Sequence, residues 1–83
     1  MPTREEIKRA QELQQALQEL DAARRLGIGT QEELLELQKA VVSAQLEYGR
    51  TIQESDAQLD SYRTQLQSLT GDLQTLREET QEY

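Results

Sequence analysis

Chemistry needs particular side chains at particular spacings, and this 83-residue sequence offers few of them. It has no His, no Cys and no Trp, which removes imidazole acid–base work, thiolate nucleophiles and the ligands most transition metals require. The carboxylates come as neighbours, Glu32-Glu33 and Glu78-Glu79. Adjacent residues point to different parts of a helix surface, so neither pair forms a catalytic dyad. The first pair suits the positive end of a helix dipole, and the second suits a solvated face. Gly27 and Gly29 do not open a phosphate-binding loop, because no strand precedes them and no Lys follows at the required place. Tyr48, Tyr62 and Tyr83 recur on one face of a helical pattern, where packing with the hydroxyls directed outward explains them. These residues predict neither an enzyme nor a cofactor or metal site.

Composition narrows the classes further. The net charge is −7, from 9 basic and 16 acidic residues. Residues 1–30 balance to zero, residues 31–60 carry −5 and residues 61–83 carry −2. Such a surface repels phosphate backbones and disfavours nucleic acid as a partner. There is no basic juxtamembrane cluster and no apolar run of the roughly 18 residues a spanning helix needs. The start, Met1-Pro2-Thr3-Arg4-Glu5-Glu6, lacks the apolar stretch of a secretory signal. The absence of cysteine leaves the redox compartment open. With 35% hydrophobic residues and no Phe, the chain cannot fill a thick core, and a thin helical seam fits best.

The element that organises the chain is Leu26-Gly27-Ile28-Gly29-Thr30-Gln31. Gly27 suits the left-handed residue that ends a helix, and Gly29 adds a second permissive position. Thr30 with Glu33 three residues later reads as a capping box that starts the next helix. Upstream, Thr3 and Glu6 form a similar box before an amphipathic segment of about residues 4–25, with Ile7, Ala10, Leu13, Leu17 and Leu20 on its stripe. Arg24 and Arg25 fall in its last turn and complement the dipole.

After the tip an apolar ladder runs through Leu34, Leu37, Val41, Ala44 and Tyr48. It continues through Ile52, Ser55, Leu59, Tyr62, Leu66, Leu69, Leu73, Leu76, Thr80 and Tyr83. From Ile52 the steps alternate three and four, a heptad seam, while the steps from Val41 to Ile52 form an eleven-residue insertion that relaxes supercoiling. The phase is kept across Gly49 and Gly71, which predicts one helix over about residues 31–82, roughly 78 Å long. The first helix covers less than half of it, so Ile52, Leu59, Tyr62, Leu66, Leu69, Leu73 and Leu76 are expected to form an oligomer seam against a second or third copy. A Ser55–Gln58 capping box leaves a three-helix alternative open, with a break between Gly49 and Ser55. Thirteen glutamines give the helices polar, uncharged faces. These suit lateral helix packing as well as solvent.

The run Arg25 to Gln38, continued by Ala44-Gln45-Leu46-Glu47-Tyr48, Tyr62-Arg63 and Leu69-Thr70-Gly71, resembles the TolC-like outer-membrane efflux duct family. Gly27, Ile28 and Thr30 match that family's turn, Glu33, Leu34, Leu35 and Gln38 the helix after it, and Leu69 to Gly71 a later Leu-Thr-Gly step. The resemblance spans about residues 20–71. It implies two long helices of a periplasmic α-barrel whose turn docks an adaptor protein, with Leu26, Gly27, Ile28, Gly29, Thr30 and Gln31 as the docking surface. It also implies a periplasmic, outer-membrane-associated location. The family's transmembrane strands have no counterpart here, and the heptads run on past Gly71. The hairpins of periplasmic efflux adaptors share part of the pattern, at Gly27, Thr30, Glu33 and Leu34.

The sequence therefore predicts an all-α antiparallel helical hairpin or coiled coil with a long second helix. It is expected to self-associate as a dimer or trimer and to act as a non-enzymatic docking module with a periplasmic adaptor as partner. The alternatives are an adaptor hairpin, and a plain coiled-coil oligomer or three-helix bundle with no transport role.

Overall fold

A computed structural model describes residues 1–27 and 29–81, and within them the chain is all-helical. Helix α1 is Arg4–Leu26, α2 is Gln31–Thr51 and α3 is Asp56–Gln81. Both helix starts expected at threonines are present. The Glu6 N–H donates to Thr3 Oγ1 at 3.1 Å, and the Glu33 N–H to Thr30 Oγ1 at 3.1 Å. Gly27 closes α1 at φ 64°, its N–H donating to the Ala23 carbonyl, with Arg24 and Arg25 in the last turn.

The helix expected to continue from about residue 31 to 82 is instead two helices. At its C-terminal end α2 closes with a Schellman arrangement: the Glu54 N–H donates to the Gly49 carbonyl at 2.9 Å and the Gln53 N–H to the Arg50 carbonyl at 3.3 Å. Gln53 takes the left-handed conformation at φ 59°. Ser55 then caps α3, its Oγ accepting the Gln58 N–H at 3.2 Å. The chain reverses, and α3 returns along α2. Gly49 does not break the helix. It is buried, and its missing side chain admits Leu59 and Glu54, which stand 3.1 and 2.8 Å from where a Cβ would be.

The reversal also places the residues expected to form an oligomer seam beside α2 of the same chain. Leu59 and Leu73 are buried within this chain, and Tyr62, Leu66, Leu69 and Leu76 are half-buried. The heptad stripe of α3 is spent largely on α2, which supplies the partner that the sequence pattern left missing. Ile52, on the turn, stays 41% exposed.

Helix α2 is the middle element. It packs against α1 on one side and α3 on the other, while α1 and α3 do not meet. Two apolar sets on α2 make this possible, for Leu34 and Leu37 line one concavity with Ala22 and Ala23 of α1 while Ala40 lines another with Leu73 of α3. The molecule measures 53 × 28 × 15 Å, and its width is that of three helices side by side at the usual spacing of about 8–10 Å. The core is correspondingly thin: Leu20, Ala23, Val41, Val42, Leu59 and Leu73 are its buried apolar residues.

Candidate docking surfaces

The α1–α2 tip is fixed from both sides. Gly27 ends α1, Gly29 sits at φ 97°, and the Thr30 cap starts α2. The Glu33 carboxylate lies over Gly29, 3.1 Å from where a Cβ would stand, so a larger residue there would meet both backbone strain and this side chain. Leu26 projects from the tip at 69% exposure, and Gly29, Thr30 and Gln31 are also exposed. Ile28, the remaining tip residue expected to dock a partner, lies outside the described residues.

Next to the tip, α3 is clamped to the start of α2. Arg77 donates through Nε to Glu32 at 2.7 Å and through Nη2 to Glu36 at 2.6 Å. The hydrogen bond to Glu32 is the largest of the influences that raise the Arg77 guanidinium above its usual range, with the charges of Glu32 and Glu36 acting in the same direction. The sequence reading gave Glu32 only a dipole role and missed this clamp. Its trace was present in the spacing of Glu32 and Glu36, four residues apart on one helix face.

Mid-molecule, the failure of α1 and α3 to meet leaves a trough of about 470 Å³ above α2. Leu17, Leu20 and Arg24 form one wall, Gln65, Ser68 and Leu69 the other, and Gln38, Val41, Val42 and Gln45 the floor. None of these is a carboxylate. Sequence reasoning did not find the trough, because it exists only once α3 has folded back. At the far end, the Tyr62 hydroxyl lies 3.4 Å from the Glu54 carboxylate, tying α3 to the α2–α3 turn. Tyr48 is half-buried, in keeping with a packing role, and Tyr83 lies outside the described residues.

The described residues contain no cluster of acidic side chains arranged to hold a metal ion. Glu78 accepts from Gln74 Nε2 at 3.3 Å on the exposed face of α3, and Glu79 is exposed. No helix among the described residues is long and apolar enough to cross a membrane. Compared with protein-family models, with curated proteins and with solved structures, the chain matches none.

Proposed function

We propose that this chain is a non-enzymatic helical docking module that engages a protein partner through the α1–α2 tip. The specific form of the proposal is that of the efflux-duct resemblance: a periplasmic, outer-membrane-associated element whose turn receives an adaptor protein. Self-association belongs to the same reading, since apolar side chains of α1 stay uncovered. The observation that carries the docking role is the combination at the tip. The backbone is held by Gly27, Gly29 and the Thr30 cap, while Leu26 is presented at 69% exposure. Capped helix ends on either side of the turn, with the Leu26 side chain presented beside them, lower the ordering cost of binding.

The test is calorimetric titration of the full chain with a purified periplasmic adaptor hairpin. Saturable binding that Leu26→Asp removes, with helical circular dichroism unchanged, is the expected result. Failure of the unaltered chain to bind, or equal binding by Leu26→Asp, would sink the docking role. A second reading is favoured by the return of α3 along α2, which consumes the seam a conduit wall would share with neighbours. On that reading the chain is a plain structural three-helix module, and its tip tolerates substitution without any loss of partner binding.

A further inference from the structure

The apolar ladder from Leu34 to Leu76 keeps its spacing of threes and fours straight through the α2–α3 turn, by way of Tyr48, Ile52, Ser55 and Leu59. In the folded chain this continuity serves nothing, because the turn reverses the direction and each helix uses its part of the ladder differently. Leu34 and Leu37 line a concavity with Ala22 and Ala23 of α1, whereas Leu73 lies with Glu36, Lys39, Ala40 and Ser43 on another side of α2. The α3 stripe is thus spent on a side of α2 that is largely polar or small. The turn itself holds Gln53 in the left-handed conformation at φ 59° and leaves Ile52 41% exposed. Among the described residues α3 touches α2 alone, so opening the turn breaks a single interface. Residues 31–81 contain no proline that would bar a helix through it.

We propose that the turn opens into a second arrangement, in which residues 31–81 form one unbroken helix and two copies pair through their α3 stripes about a two-fold axis. In an unbroken helix the ladder lies along one face, and the eleven-residue step between Val41 and Ile52 lets it pass without tight supercoiling. Helix α1, at 23 residues, matches the 21 of α2 and goes on covering that half. The α3 half, 26 residues or about 39 Å, is left for the second copy. Antiparallel packing closes its layers: Leu59 meets Leu76 of the other copy, Tyr62 meets Leu73 and Leu66 meets Leu69, each repeated by the symmetry. The same register decides the flanks. Asp56 stands opposite Arg77, Gln58 opposite Glu79, Arg63 opposite Thr70 and Gln65 opposite Asp72, so no like charges meet and one opposite-charge pair occurs twice. Arg77 exchanges Glu32 and Glu36 of its own chain for Asp56 of the other. The polar side of α2 returns to water, and Gln53 is relieved of its left-handed conformation. This rearrangement rests on the self-association proposed above, is independent of the tip, and makes the balance of the two forms depend on concentration.

The experiment combines absolute molar mass by light scattering, across a concentration series, with electron-spin distance measurement on the full chain. The parent should pass from 9.6 kDa towards twice that mass as concentration rises. Asp56→Pro bars an unbroken helix but suits the first position of α3, and should stay monomeric with its helical circular dichroism unchanged. Asp56→Asn should still dimerise, which separates the effect of the proline from that of the lost charge. Gln53→Gly favours the turn in both copies and should weaken the dimer by at least about tenfold. Gln53→Val, whose branched side chain resists the left-handed conformation, should tighten it. Spin labels on Lys39→Cys and Gln74→Cys, positions that share one concavity in the closed form, should stand about 52 Å apart in the dimer when labelled chain is diluted with unlabelled. A parent that is monomeric at every concentration would overturn self-association and this rearrangement with it. A dimer that Asp56→Pro forms equally well, a dimer whose labels stay close, or a trimer would leave self-association standing and overturn the rearrangement.

Discussion

Three single residues show how narrowly the fold is held. Leu73 is the most completely buried apolar side chain among the described residues, at 3% exposure. Leu73→Ala should therefore cost about 2–5 kcal/mol in denaturant unfolding, a large part of what a domain this size possesses. Gly71 is helical and exposed, and an added Cβ would meet nothing within 4 Å. Gly71→Ala should raise stability by about 1 kcal/mol, seen as a higher melting temperature. Gln53 holds a left-handed conformation at φ 59° that non-glycine residues adopt at a cost of about 1–2 kcal/mol, so Gln53→Gly should also stabilise, by about 1 kcal/mol. The same residue explains why the second turn was hard to read. Gly27, Gly29 and Thr30 announce the first turn with the residue types its backbone requires. At the second, a glutamine occupies the position where glycine is usual, and the apolar phase runs on undisturbed. The glycine nearby, Gly49, marks close packing and not a helix end. Only Ser55 and Gln58 signalled a new start.

At the scale of the elements, α2 decides the architecture, because it is the helix with apolar residues enough for two neighbours. The starts of α1 and α2 were legible, since threonine caps act within four residues and need no tertiary partner. The docking of α3 was not, because a heptad stripe states that a helix needs an apolar partner without stating which one. The trough inherits that opacity. Substituting Gly49 tests the α2–α3 junction directly. Gly49→Val would press on Leu59 and on Glu54, and should destabilise by about 1–3 kcal/mol. Amide hydrogen exchange should locate the loss first in the opening turns of α3, and equal loss throughout the chain would count against this packing. The Arg77 clamp at the other end is solvent-exposed, and exposed ion pairs are screened by salt. Arg77→Ala should accordingly leave the melting temperature almost unchanged at physiological salt.

For the molecule as a whole, the notable fact is that α1 touches only α2, and α3 touches only α2. Every tertiary contact between helices thus joins segments adjacent in sequence. Loop closure is short in each case, and no distant ends must find each other before packing begins. A chain wired in this way has low contact order, the property that goes with the fastest folding. Its one proline, Pro2, lies ahead of the first helix, so no isomerisation step is set inside the folded elements. Refolding followed by temperature jump should be a single phase within the microsecond-to-millisecond range of helical proteins. The openness that keeps α1 and α3 apart is, in kinetic terms, what spares the folding chain any search for a distant partner helix.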